Sequence, residues 1–296
     1  MAAVDTTELP AQPTGRAAAL AASHATSHPL KLYGGWFCPF VQRAWIVLQE
    51  KEENSKHSSS SPLYEYVEIN PYKKAPEFLA LNPRGLVPTL ALPPIVEGGE
   101  PGVLYESTVI CELLDEYFGG EEEENLLPRG MAPDNLYLRA SCRLWIDHIG
   151  TRIVPAFYKL LQHTPDKTYT LDDARAGLLA ALKTFTEQMA EDGPWFLGSR
   201  FSLVDVMLAP WAMRLFLLDH YKNGGSGIPK GGELTDENEK KIWSRWWRWF
   251  DAITERKSVK DTWSDDEMYI AAYRRYAEDT TQSEVGKATR TGGKLP

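Results

Sequence analysis

Tyr33-Gly34-Gly35-Trp36-Phe37-Cys38-Pro39-Phe40 is where a strand candidate gives way to a helix. Leu30 to Tyr33 reads as a short strand. Pro39 to Lys51 reads as a helix, because Val41, Ala44, Trp45 and Leu48 recur at helical spacing. Pro39 suits a first helical turn, where its missing N–H has no partner to lose. Cys38 therefore stands at the positive end of a helix dipole beside free N–H groups, an environment that favours thiolate near neutral pH. Position 41 is Val, so there is no Cys-x-x-Cys pair. A mixed disulfide at Cys38 would need an external thiol to resolve it. Cys111 and Cys142 fall inside apolar helical stripes and read as inert core thiols.

Working outward, Tyr64 to Ile69 reads as a strand and Pro76 to Leu81 as a short helix. Asn82-Pro83-Arg84-Gly85 is a turn signal. Val87 to Leu92 and Val103 to Tyr105 read as strands, and Ser107 to Phe118 as a helix. The order βαβαββα predicts an α+β domain over 29–120. The acidic run Glu121 to Glu124 reads as a linker. An all-helical domain is expected over 127–283. It contains the stripe Leu138, Cys142, Trp145, Ile149, Ile153, and helices over Leu171 to Met189, Ser202 to His220, around Ile242 to Ile253, and over Met268 to Tyr276. Residues 1–28, rich in Ala, Ser, Thr and Pro, read as a disordered head, and 284–296 as a flexible tail. The segments 51–61, 92–102 and 222–238 read as long loops.

Two further constellations bear on chemistry. Val87-Pro88 opens a strand, where proline often marks a cis bond that exposes the Val87 backbone to an extended ligand; an ordinary trans proline at an edge is the alternative. In Tyr105-Glu106-Ser107, Ser107 reads as a helix N-cap that either only caps or also binds a carboxylate, with Glu106 able to take an ammonium.

The bulk properties narrow the classes. Three cysteines in 296 residues suggest a reducing compartment, the cytoplasm, rather than a disulfide framework. A net charge of −9 and the lack of a basic face argue against nucleic acid. No apolar run approaches the roughly 20 residues that cross a bilayer, so no membrane role is expected.

Phe37-Cys38-Pro39-Phe40, Asn82-Pro83-Arg84-Gly85-Leu86-Val87-Pro88, Leu104-Tyr105-Glu106-Ser107 with Ile110-Cys111-Glu112, and Phe201-Ser202-Leu203-Val204-Asp205 together resemble the cytosolic glutathione transferases of the omega and closely similar lambda classes. The resemblance runs over about residues 30 to 280. It implies a thioredoxin-like N-terminal domain, an all-helical C-terminal domain and a homodimer. It implies glutathione as co-substrate, held by Phe40, Lys74, Val87, Pro88, Glu106 and Ser107, with Cys38 catalytic and no metal. The chemistry it implies is thiol transfer: deglutathionylation, or reduction of dehydroascorbate or disulfides through a Cys38–glutathione disulfide. Conventional conjugation is the alternative within enzymes. A non-enzymatic binding protein or a chloride intracellular channel-like protein is the alternative outside them. Trp211, Trp145, Tyr158, Arg143 and Arg214 are the acceptor-site candidates. Trp211, next to Pro210 within a helix, either faces an open cleft or packs in the core.

Overall fold

The computed structural model describes residues 10–54, 62–70, 73–94, 98–99, 101–119, 125–230 and 234–295. In chain order its elements are α1 (Gly15–Ser23), β1 (Lys31–Gly34), α2 (Pro39–Asn54), β2 (Glu65–Glu68), α3 (Pro76–Leu81), β3 (Thr89–Pro94), β4 (Pro101–Tyr105), α4 (Ser107–Tyr117), α5 (Pro133–His148), a π-helical turn (Ile149–Ile153), α6 (Val154–Leu161), α7 (Leu171–Thr186), α8 (Leu203–Met213), α9 (Leu215–Tyr221), α10 (Glu237–Glu255), α11 (Lys257–Asp261), α12 (Asp266–Ala277) and α13 (Glu284–Thr291). The chain divides into two compact units, one of Met1–Asn125 with Lys257–Ala271, the other of Leu126–Arg256 with Ala272–Pro296.

The first unit is built on a four-stranded sheet of order β2-β1-β3-β4. β1 runs parallel to β2 and antiparallel to β3, and β3 is antiparallel to β4. This is the thioredoxin-like α+β arrangement that the element order predicts. Its core centres on Trp45 of α2, whose ring stacks on Tyr66 at 4.2 Å and whose indole N–H donates to the Tyr64 hydroxyl at 2.8 Å. α2 is buried on nearly all sides, polar residues included. Those polar groups find partners: Lys51 pairs with Asp115 of α4 at 2.6 Å, both side chains 2% exposed, and Glu50 accepts from Ser258 of α11.

The expected disordered head is corrected over its described part. α1 forms there, because its Ala-rich run combines the best helix former with specific anchors. Ala17 is wholly buried and its N–H donates to Trp263 O at 3.2 Å. Arg16 Nε bonds Asp261 at 2.8 Å, and His24 Nε2 lies 2.9 Å from Glu52. Of the expected loop 51–61, residues 51–54 continue α2 and 55–61 lie outside the described residues. Leu92–Pro94 of the expected loop 92–102 extend β3, and Pro101–Gly102 begin β4. The acidic run 121–124 and positions 231–233 of the expected loop 222–238 also lie outside the described residues.

The second unit is helical among the described residues. The stripe Leu138 to Ile153 runs through α5 and the π-helical turn, which α6 continues, with Cys142, Ile149 and Ile153 buried. The turn widens just before Pro155, which has no N–H to continue the ladder. The helix expected over Ser202 to His220 is two helices. Pro210 lies inside α8. The Arg214 guanidinium takes the Pro210 carbonyl at 2.7 Å, the acceptor its own N–H would have used. That N–H turns to Trp211 O at 3.0 Å instead, and the chain breaks before α9. The capping box at Ser202 is formed, Asp205 accepting from the Ser202 N–H and hydroxyl at 2.8 and 2.7 Å. The expected flexible tail is also corrected. α13 is capped by Ser283, buries Val285, and is tied by Arg290 to Asp279 at 3.0 Å.

Removing one partner of a buried ion pair leaves an uncompensated charge. Lys51→Met should therefore cost about 3 kcal/mol or more of unfolding free energy in urea titrations. Lys51→Met with Asp115→Leu should recover much of it.

Candidate functional site

Each expected glutathione-site residue belongs to the first unit. Gly34 ends β1 where only glycine fits: a Cβ there would stand 2.6 Å from Val41 Cγ1 and 3.0 Å from Tyr66 Cε2. The chain then turns through Gly35 to Phe37. Cys38 N–H closes on Gly35 O at 2.9 Å, and Cys38 O accepts from Gln42 N–H at 3.1 Å, so Cys38 is the last residue before α2. Its side chain is half-buried, and Sγ lies 3.8 Å from Val87 O. The Val87–Pro88 peptide bond is cis.

The turn before Val87 is braced from within. Asn82, fully buried, donates to Leu86 O at 3.1 Å and Thr89 Oγ1 at 3.0 Å, and accepts from Arg84 N–H at 3.1 Å. Gly85 has φ +62°, and Lys74 lies over it so closely that a Cβ would be 2.9 Å from Lys74 Cδ and 3.0 Å from Nζ. Lys74 thus lies against the turn that leads to Val87.

Ser107 is not the N-cap of α4; it is the first helical residue. The cap position is Glu106, whose φ of 72° and ψ of 111° turn the chain into the helix without a side-chain cap bond. Such a conformation is uncommon for a residue with a Cβ and marks a constrained site. The Glu106 carboxylate extends outward to Arg84 at 2.7 Å, both side chains 45% exposed. The Ser107 hydroxyl accepts from Arg43 Nη1 at 3.2 Å. The Arg43 guanidinium, itself buried, lies 5.4 Å from the centre of the Phe40 ring. Arg43 thereby links the starts of α2 and α4.

The sequence assigns no role to Arg43 or Glu68, and marks Arg84 only as part of the 82–85 turn. An arginine among the apolar positions of a helix's first turn was the available signal for Arg43. Glu68 stands at the end of β2, where its carboxylate accepts from Trp36 N–H at 2.9 Å and the Tyr66 hydroxyl at 2.8 Å. Burial pushes it up to about 7. Burial likewise raises the thiol of Cys111, and pushes that of Cys142 up to about 11. Tyr33 sits against Phe78, ring centres 5.7 Å apart.

In the second unit the acceptor-site candidates are mostly enclosed. Trp211 is 1% exposed, and Tyr158 and Arg214 are buried too. Leu203 to Ala212 of α8 are all buried, because that helix has no polar face to turn outward. The reading of Trp211 as an open face is corrected accordingly. Trp145 packs among His148, Phe185 and Phe196 at 5.2 to 6.4 Å, and Arg214 donates to the Tyr273 hydroxyl at 2.9 Å. Arg143 is exposed. Among the described residues no cluster of His, Cys, Asp and Glu could hold a metal ion, and no helix is long and apolar enough to cross a membrane.

The family model for the glutathione S-transferase N-terminal domain matches residues 32–122, and that for the C-terminal domain matches 168–252. Glutathione transferase Omega 3C from Trametes versicolor is 35% identical, with a TM-score of 0.70 over 92% of this chain and 100% of that one. A protein of Oryza sativa subsp. japonica named probable glutathione S-transferase GSTU6 is 31% identical over 62% of this chain and 71% of its own length. Glutathione S-transferase omega-1 of Sus scrofa is 27% identical over 64% and 68%. The chain belongs to the glutathione S-transferase family. Within that family it is of the omega class, and the homologues are glutathione transferases.

With Cys111 and Cys142 buried and their thiols raised, one thiol should react in the folded protein. A disulfide reagent counted by absorbance should titrate one thiol natively and three in denaturant. Two or three fast thiols in the native state would contradict the burial described.

Proposed function

We propose that this transferase works as a thiol transferase, with Cys38 as nucleophile and glutathione as reductant. The observation that carries this reading is the placement of Cys38: before the first turn of α2, half-buried, with Sγ 3.8 Å from the carbonyl of Val87. The α2 N-terminus supplies a positive potential to a thiolate.

Cys38 thiolate attacks the glutathione sulfur of a mixed disulfide. The S–S bond breaks, the released thiolate takes a proton from water, and Cys38 becomes disulfide-bonded to glutathione. A second glutathione thiolate attacks that bond, freeing Cys38 and forming oxidised glutathione. No second local cysteine stands at position 41 to compete. Dehydroascorbate or another disulfide would draw on the same two electrons.

In this reading glutathione lies along the Val87-Pro88 backbone. Glu106 and Ser107 receive the γ-glutamyl end, Lys74 the glycine carboxylate, and Phe40 borders the sulfur. Arg43 holds the Ser107 hydroxyl, and Arg84 shares the Glu106 carboxylate. A count of three cysteines in 296 residues fits a reducing compartment, and we assign the protein to the cytoplasm. The exposed apolar side chains of α5, Tyr137 at 76% and Leu144 at 60%, support a homodimer.

Cys38→Ser should lose thiol transfer at least a hundredfold while retaining glutathione binding by calorimetry. Assays in parallel with a glutathione mixed disulfide, dehydroascorbate and an aryl halide identify the acceptor. Full disulfide reduction by the variant would defeat this reading, and conjugation of the halide alone would favour the conventional transferase.

The homodimer is checked by light scattering. The native protein should run at about twice its chain mass and Tyr137→Glu with Leu144→Glu near it. A native monomer would remove the assignment.

A further inference from the structure

Among the described residues Glu68 is a partly buried carboxylate bonded to the nucleophile's segment, and the thiol chemistry leaves it unused. Its Oε1 accepts from Trp36 N–H at 2.9 Å, two residues before Cys38. The next residue along, Ile69, donates its N–H to Gly34 O at 2.6 Å. Side chain and backbone at the end of β2 therefore fasten both ends of Gly34-Gly35-Trp36. Two successive glycines give this segment little stiffness of its own. The other anchors of Trp36 reach different atoms: its indole N–H bonds Pro10 O at 3.0 Å, and its carbonyl accepts from Tyr269 at 3.4 Å. The second oxygen of Glu68 holds the Tyr66 hydroxyl, and Tyr66 stacks on Trp45 of α2. One carboxylate thus ties the nucleophile's segment to the sheet and to the core of the helix that Cys38 precedes.

We propose that Glu68 is a positioning residue for Cys38: its ionised carboxylate holds residues 34–38 so that the thiol stays at the N-terminus of α2. The inference rests on Cys38 being the nucleophile. An ionised carboxylate accepts from both donors with charge assistance. A protonated one makes neutral hydrogen bonds about half as strong. Among the described residues the titratable group in contact with Glu68 is Tyr66 on its own strand, while Tyr269 of α12 and Cys38 belong to contacts of the segment it holds. Tyr66 is itself raised by burial and by Glu68, and stays protonated. Burial sets Glu68 at about 7, against the lowering effect of its two hydrogen bonds. The grip on the segment therefore strengthens as pH rises through neutrality.

Stability runs the other way. A carboxyl group raised to about 7 from its ordinary 4.5 favours the folded state while protonated. That contribution is complete below about pH 4.5 and is lost as pH rises through about 7. Glu68→Gln, neutral at every pH, should be more stable than the native protein at pH 8 and yet hold Cys38 less firmly. A residue that served only the fold would not separate the two.

The test uses the full chain as native protein, Glu68→Gln and Glu68→Leu, with iodoacetamide as probe. Alkylation of Cys38 is followed by peptide mass from pH 5.5 to 8.5, beside thermal unfolding and thiol-transfer kinetics. At pH 8, Glu68→Gln should react about threefold more slowly than native and Glu68→Leu at least tenfold, with kcat falling in step and KM for glutathione within twofold. Native protein and Glu68→Gln should converge by pH 5.5. Equal rates at pH 8 would overturn the proposal. So would a faster Glu68→Gln, which would mean that Glu68 acts only as a charge opposing the thiolate. Cys38→Ser keeps the two readings apart. Thiol transfer retained in that variant defeats the nucleophile assignment. Transfer lost there but unchanged in Glu68→Leu defeats only the role of Glu68.

Discussion

The first unit depends on the absence of a side chain at Gly34. Its Cα comes so close to Val41 and Tyr66 that a single methyl group would force β1, α2 and β2 apart. That close approach lets α2 begin directly behind the sheet, with Trp45 stacked on Tyr66 and Cys38 facing Val87 just before β3. Val87 and its carbonyl stand on the other side of Cys38 because Asn82 spends its amide within the 82–89 turn. The pairing of thiol and Val87 backbone therefore follows from two backbone constraints rather than from any contact the thiol makes.

The segments outside the sheet add to the same anchorage. α4 and α11 pack against polar positions of α2 and bury them, and His24 at the end of α1 reaches Glu52. Glu50, Lys51 and Gln49 keep their polar character there because each has a partner: Ser258, Asp115 and Tyr64 respectively. Such positions are costly to lose, since an unpaired buried polar group forfeits its hydration without return. Trp36 donates to the Pro10 carbonyl and accepts from the Tyr269 hydroxyl, so the nucleophile's segment is held from behind by residues far from it in sequence.

How much of this could be read beforehand divides along physical lines. The strand-to-helix junction at Cys38, the cis Val87–Pro88 bond and the βαβαββα order are local features, written in short-range spacing and turn chemistry. α1 was missed because alanine-rich sequence suits both helices and disordered chain; only Arg16–Asp261 and the buried Ala17, contacts across some 245 residues, decide between them. The cap at Glu106 was misplaced by one residue, because serine preference was legible and a left-handed glutamate was not. The burial of Trp211 was hidden for a similar reason. Pro210 inside the helix marks Trp211 as special, but burial of every residue from Leu203 to Ala212 depends on what surrounds α8.

Three carboxylates removed from water show how the protein distributes this cost. Asp115 is neutralised outright by Lys51. Asp205, in the helical unit, accepts four hydrogen bonds: from Phe196 N–H, Trp249 Nε1, and the N–H and hydroxyl of Ser202, all within 2.8 Å. It is raised by burial but opposed by every one of those donors, as suits a fixed joint between α8, α10 and the turn at Phe196. Among the described residues Glu68 has two donors and no cation, so desolvation prevails and its proton is held loosely near neutrality. A joint meant only to be strong would be completed like Asp205. The incompletely compensated one sits under the flexible glycines that lead to the nucleophile, where a change of one proton alters the grip on the segment without dismantling the core beneath it.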